Sequence, residues 1–279
     1  MRAIIFGTGS TAERLVPQIR QQYDIVGFLD NNKSKWGATF KGLPVHAPEK
    51  ILDMAYDVII VAALTGFEPV KEQLISIGVE PGKISTDYVA VFVKSRILFL
   101  EHVGELFEEK GIVGSVAEGG VFQGEFAKEI NRVFHSHRLY LFDTFTGFDQ
   151  RDVNIEQSKQ FSDYGEGSFN MSGESIVMNK LPHPSMCIIK KGFFPESAND
   201  INKDEVFCFV NLDFDLYQPI LAGLNFFAPR MVAGGIILVH DYFNRGFSGV
   251  KQAITDFNLE SKGLKLFPIG DGFSVGIQF

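Results

Sequence analysis

The chain has 279 residues, 45% apolar and 22% charged, with 28 Gly, 11 Pro and 2 Cys, a balance that excludes fibrous and disordered classes. At about 100–200 residues per domain, that length predicts two domains. The net charge of −8 is uneven: residues 1–93 carry 9 Lys+Arg against 10 Asp+Glu and the remainder 17 against 24, so the acidic second half makes a nucleic acid an unsuitable main ligand.

Short β-branched runs alternate with amphipathic stretches in the first ninety residues. Ala3–Phe6, Asp24–Leu29 and Val58–Ala63 read as buried parallel strands, and Ser10–Gln22 and Phe67–Ile77 carry apolar residues at helical spacing. Pro17 either kinks the first helix or marks its effective start. Asn31–Gly42 reads as a surface loop. A domain boundary is expected near Val93, giving units 1–93 and 94–279, with an amphipathic helix over Arg96–Lys110 opening the second. Strands are then expected at Gly114–Ala117, Arg138–Phe142, Met186–Ile189, Val206–Leu212 and Ile236–Val239, and an antiparallel hairpin over Leu264–Phe279. Gln150–Gly173, rich in Gly, Ser, Asp and Asn, reads as a mobile loop or lid. Cys187 and Cys208 sit in apolar runs and are expected as buried thiols. Ala3–Phe6 is too short for a secretory core and no apolar run nears the roughly 20 residues of a membrane span, so a cytoplasmic protein without a membrane partner is expected.

Three constellations point to chemistry. In the front unit, Gly7-Thr8-Gly9-Ser10-Thr11-Ala12 follows a strand and opens a helix, and Asp30 ends the next strand. Gly7, Gly9 and Ser10 could admit a pyrophosphate to the helix N-terminus while Asp30 meets a ribose, although ninety residues hold only half of a full dinucleotide site. The alternative is a tight strand-to-helix turn that binds nothing. In the second unit, Val116-Ala-Glu-Gly-Gly-Val-Phe-Gln-Gly124 ends a strand and opens a helix, so Gly120 and Gly124 can admit a ligand beside Glu118. Asp143 ends the following strand, where it can take both ribose hydroxyls. Farther on, Asp213-Phe-Asp215 and His240-Asp241 each follow an apolar strand. Parallel strands bring such residues to one edge of the sheet, and unpaired buried charges there imply a cation, a proton or a substrate partner. A competing reading has Asp215 capping the helix that begins near Leu216 and Asp241 opening a turn.

The front segment, with Gly27-Phe-Leu-Asp-Asn31 and Gly42-Leu-Pro-Val45, resembles the small Rossmann-like domains attached to bacterial surface-sugar enzymes. Residues 112–279 resemble the macrocin O-methyltransferase (TylF/MycF-like) family through five motifs: Val116–Gly124, Leu139–Phe148, Lys191–Pro195, Asn211–Tyr217 and Gly234–Tyr242. That family comprises class I enzymes that methylate sugar hydroxyls from S-adenosyl-L-methionine with a divalent metal. The resemblance implies an α/β Rossmann-like methyltransferase sheet, mostly parallel with a C-terminal antiparallel hairpin, behind a smaller Rossmann-like domain. It also implies that Glu118, Gly120 and Asp143 hold the cofactor, with Gly124 and Thr144 on the same turns, that Asp213 and Asp241 bind the metal, and that Asp215 is the general base.

The family pattern usually has Asp-Asp-Tyr where this chain has His240-Asp241-Tyr242. Mg²⁺ prefers oxygen ligands and imidazole suits a transition metal, so three readings follow. They are a metal site that includes His240, a weaker Mg²⁺ site without it, and a metal-free site in which His240 is the base. The reading favoured is a metal on Asp213 and Asp241 with His240 adjacent. The implied substrate is a sugar, nucleotide-linked sugar or glycan precursor; a homo-oligomer, as a dimer, is expected separately from the resemblance. Two rivals are a nicotinamide-dependent sugar oxidoreductase or epimerase working from Gly7–Ala12, which lacks a Tyr-x-x-x-Lys pair, and a front domain that only binds nucleotide-sugar or assembles the protein.

Overall fold

The computed structural model describes residues 1–63 and 67–279, and the chain divides into two compact units, Met1–Ser95 and Arg96–Phe279. In the first, strands β1 (Arg2–Phe6) and β2 (Asp24–Leu29) flank helix α1 (Ser10–Ile19), which runs through Pro17. The stretch read as a surface loop contains β3 (Thr39–Phe40), paired antiparallel with β4 (Leu43–His46). After β5 (Val58–Val61), helix α2 (Phe67–Ile77) and β6 (Ile84–Ser85), the sheet order is β3-β4-β2-β1-β5-β6. Ala3, Ile5, Leu15, Phe28 and Ile60 fill one face and Ile4, Leu29, Ile51, Ile59 and Leu74 the other. Sandwiching by apolar layers explains the near-continuous hydrophobic runs of these parallel strands.

Helix α3 (Asp87–Lys110) starts nine residues before the expected Arg96, and the division between the units falls inside the helix. Val89 packs in the first unit's core, and Leu100, Val103 and Phe107 in the second's.

In the second unit, β7 (Ser115–Gly119), α4 (Glu125–Val133), β8 (Leu139–Asp143), α5 (Gln150–Lys159), α6 (Glu174–Met178) and β9 (Cys187–Lys191) come first. Then follow β10 (Phe207–Leu212), α7 (Tyr217–Phe227), β11 (Met231–Val239), α8 (Ser248–Phe257), β12 (Lys265–Pro268) and β13 (Val275–Gln278). The seven strands lie in the order β12-β13-β11-β10-β7-β8-β9. β9 to β11 are mutually parallel, and β13 and β12 close the edge as an antiparallel hairpin. Successive strands step outward from β7 first toward β9 and then toward β11. The crevice above the ends of β7 and β10, where that direction reverses, is where open α/β sheets bind ligands. An aromatic cluster of Phe142, Phe194, Phe207 and Phe227 anchors one face of the sheet beneath that edge.

Gln150–Gly173 is only partly a loop. Its first ten residues are α5, capped by the Asp149 carboxylate, which accepts the Arg151 N–H at 2.9 Å. No helix among the described residues is long and apolar enough to cross a membrane.

Candidate active site

Backbone bonds continue past the strand ends and bind four turns together. Gly120 N donates to Phe142 O at 2.9 Å, Asp213 N to Gly119 O at 2.7 Å, and His240 N to Leu212 O at 2.9 Å. Glu118, Asp143, Asp213, Asp215, His240 and Asp241 thereby lie along one edge of the sheet, as the motif spacing predicts.

Glycine at 120 answers to the protein's own backbone: with φ at +81°, an added Cβ would lie 2.1 Å from the Asp213 carbonyl oxygen. At Gly124 a Cβ would meet Val177. Both positions were read as openings for a ligand, and in the structure both spaces are filled by the chain itself.

Glu118 is buried, with Oε1 accepting from Asn211 Nδ2 at 2.9 Å and Oε2 lacking a partner among the described residues. Burial, reinforced by Asp213, pushes its carboxyl well above the ordinary value against the opposing pull of Arg96 and Asn211. Asp143 clamps the neighbouring turn: Oδ2 accepts the Val121 and Phe122 amides, both at 2.8 Å, and Oδ1 accepts Phe145 N at 2.7 Å. A carboxylate offers about four acceptor positions, so a grip on two ribose hydroxyls requires one amide bond to give way. Thr144 also serves the turn, its hydroxyl donating to Gly147 O at 2.7 Å.

Arg96, which the motif reading passed over, completes the cluster. Its guanidinium donates at 2.9 Å to both Asn211 Oδ1 and Asp213 Oδ2 and lies 3.9 Å from the centre of the Phe126 ring. Burial alone would raise the Asp213 carboxyl, but His240 and Arg96 outweigh it and hold the group below its usual value. Donor atoms of Asp213, His240 and Asp241 all lie within 4.8 Å of one another. Asp215 faces Asp241, and burial together with that carboxyl, to which it is hydrogen-bonded, raises Asp215 well above the ordinary range. Asp215 and Asp241 both have positive φ, +63° and +59°, backbone that residues other than glycine seldom adopt.

Asp215 does not cap α7. That role falls to Glu156 of α5, whose Oε1 accepts Tyr217 N at 2.6 Å. Asp241 does open a turn, accepting Asn244 N at 3.0 Å. Beyond α5, Tyr164 stacks on Phe247 with centroids 4.9 Å apart and also meets Phe148 and Phe169. Burial raises its phenol, and so do the nearby Asp215 and Asp241, which puts this aromatic group beside the acidic cluster. Phe161 instead packs on Tyr217 in the core.

In the front unit the Asp30 carboxylate is engaged by its own chain. It accepts from Thr8 N at 3.1 Å, the Thr8 hydroxyl, Asn32 N at 2.8 Å and Lys35 Nζ at 3.0 Å. Gly7, with φ at +109°, lies where a Cβ would come 3.0 Å from Ala62 O, Gly9 is open, and Ser10 begins α1. Neither thiol competes as a nucleophile: burial pushes Cys208 to about 12 and the half-buried Cys187 to about 11.

The strand order and the carboxylate-tipped turns at its reversal define a class I methyltransferase, the class of the S-adenosylmethionine-dependent O-methyltransferases. Residues 88–266 match the model described as macrocin-O-methyltransferase (TylF), and the chain belongs to that family. Residues 1–85 match the model described as C2185-like, N-terminal. Among solved structures the chain is similar to the O-methyltransferase NovP, with a TM-score of 0.54 at 18% identity over 66% of this chain and 79% of that one. It is also similar to CalS11, a calicheamicin methyltransferase, with a TM-score of 0.53 at 18% identity over 77% of this chain and 88% of that one. No curated protein matches the sequence.

Proposed function

We propose that this enzyme transfers a methyl group from S-adenosyl-L-methionine to a sugar hydroxyl, the sugar being nucleotide-linked or part of a glycan precursor. The observation that carries the proposal is the meeting of an orphaned, buried carboxylate oxygen on Glu118 with the Asp213, Asp215, His240 and Asp241 cluster at the reversal of a methyltransferase sheet. When bound, S-adenosyl-L-methionine supplies an electrophilic methyl on a sulfonium, and a divalent ion lowers the pKa of the hydroxyl it polarises.

Glu118 and Asp143 would hold the cofactor, with Gly120 and Gly124 shaping its turn and Thr144 stiffening the neighbouring one. Asp213 and Asp241 would hold the metal with His240 Nε2 as the third donor, a mixed oxygen and nitrogen set that suits a transition ion as well as Mg²⁺. Asp215 would accept the hydroxyl proton. General-base help of this kind contributes about 10²–10⁴-fold. Tyr164 and its neighbours would cover the acceptor and keep water out. Gly7, Gly9, Ser10 and Asp30 remain the place where a nucleotide could meet the front unit.

The test is methyl transfer from labelled cofactor to a panel of nucleotide-linked sugars, with and without chelator, alongside calorimetry with S-adenosylhomocysteine. Labelled sugar is expected, and Asp215→Asn should reduce kcat by about 10²-fold or more while S-adenosylhomocysteine still binds. A wild-type chain that binds no S-adenosylhomocysteine would sink the proposal.

A further inference from the structure

The loop between β12 and β13 delivers two buried polar side chains, Asp271 and Ser274, behind His240. Asp271 and Ser274 are 2% and 1% exposed. The carboxylate is fixed by its own segment: Oδ1 accepts Phe273 N at 3.0 Å and Ser274 N at 2.7 Å, and Oδ2 accepts the Ser274 hydroxyl at 2.5 Å. On the far side of that hydroxyl, Ser274 Oγ lies 2.8 Å from His240 Nδ1.

A serine hydroxyl has a single proton. Here it points to Asp271, so what Ser274 offers His240 is a lone pair, and Nδ1 must be the donor. A neutral imidazole protonated on Nδ1 carries its lone pair on Nε2. That nitrogen faces Asp241, 3.8 Å from Oδ1, too far for a hydrogen bond that would ask Nε2 to hold a proton.

We infer that Asp271 and Ser274 are positioning residues that hold His240 as the Nδ1-protonated imidazole and present the bare Nε2 to the pocket formed by Asp213 and Asp241. The use made of that lone pair, as a metal donor or as a proton acceptor, rests on the proposed function; the tautomer does not. A carboxylate accepts through either oxygen, whereas an imidazole accepts through one nitrogen only, so a histidine at this position needs a partner that chooses which. An outer partner of this kind typically matters by roughly 10–100-fold in metal affinity or activity.

The experiment uses the full chain, metal-free and labelled with ¹⁵N-histidine. Long-range ¹⁵N–¹H correlation spectra distinguish the two neutral tautomers, and the His240 signals are identified by their loss in His240→Gln. Wild type is expected to show the Nδ1-protonated form. Ser274→Ala is expected to move His240 toward the Nε2-protonated form, and Ser274→Thr, which keeps the hydroxyl, to restore the wild-type pattern. Should Ser274→Ala not fold, Asp271→Asn serves as the second variant, since it withdraws the strong acceptor that orients the hydroxyl and should yield a mixture of tautomers. In turnover, Ser274→Ala should lower kcat by roughly 10–100-fold without changing S-adenosylhomocysteine affinity. A wild-type His240 protonated on Nε2, or a tautomer unmoved by both variants, overturns the inference. Failure of wild type to bind S-adenosylhomocysteine overturns the proposed function and leaves the tautomer result standing.

Discussion

Asp213 and Glu118 come close enough at the strand ends for each charge to oppose the other, and Arg96 is the residue that makes the pair tolerable. Its guanidinium neutralises Asp213 directly and holds Asn211, which passes its own amide to Glu118. Removing one member of a largely buried pair leaves an uncompensated charge, typically at a cost of about 3–5 kcal/mol. Arg96→Ala is therefore expected to lower unfolding stability by an amount of that order in urea titrations, and a loss below about 1 kcal/mol, the range of an exposed pair, would contradict the role given to Arg96. Nothing in the local sequence announces this residue. The carboxylates were legible because each lies at the end of an apolar strand, but Arg96 reaches Asn211 and Asp213 from a helix 115 and 117 positions away in the chain, and its neighbours carry only an ordinary amphipathic pattern. Ser274 was hidden for a related reason: a lone hydroxyl gains meaning only from what it touches.

Helix α5 is a polar element that buries two acids, Asp152 and Glu156, one turn apart. Glu156 is used as the cap of α7. Asp152 has no partner for Oδ1 among the described residues, and burial, with Asp149 and Glu156 adding to it and Arg151 opposing, pushes its carboxyl up to about 7. The folded chain thus binds this proton more tightly than the unfolded chain. Its contribution to stability is complete below the ordinary carboxyl value of 3.8 and is lost as pH rises through about 7. Asp152→Asn, which cannot ionise, is expected to be more stable than wild type by about 2–4 kcal/mol at pH 8, with a smaller gap at pH 5. Denaturation at both pH values checks it, and a gap that does not widen with pH would refute the assignment. This helix escaped the sequence reading because Gln150–Lys159 contains only Val153 and Ile155 as apolar residues, too few to form a stripe. Its stability comes from the Asp149 cap and from packing of the α5 side chains on α7, which no periodicity displays.

At the scale of the whole molecule, the positions of the longer strands were largely readable, since β1, β2, β5, β8 and β10 each coincide with a short buried apolar run. The short pairs β3–β4 and β6 were not, because two to four residues cannot show a period. The start of α3 was not readable: Arg96–Lys110 has the stronger amphipathic pattern, and it concealed that the helix begins at Asp87. This bears on how the chain can be cut. A chain starting at Asp87 retains Leu100, Val103 and Phe107 in the second unit's core and is expected to fold and bind S-adenosylhomocysteine by calorimetry. One starting after Lys110 loses three buried side chains worth about 1.5–3 kcal/mol each and is expected to be unfolded by circular dichroism. Retention of native structure in the shorter chain would refute that account of α3. A different kind of indivisibility lies in the contact at Gly120, where no room exists for even a methyl group against the backbone of Asp213. The turn proposed to hold the cofactor and the turn proposed to hold the metal are fitted as one casting, so neither can be redesigned or exchanged alone, and drift in one of them during evolution has to be answered by the other.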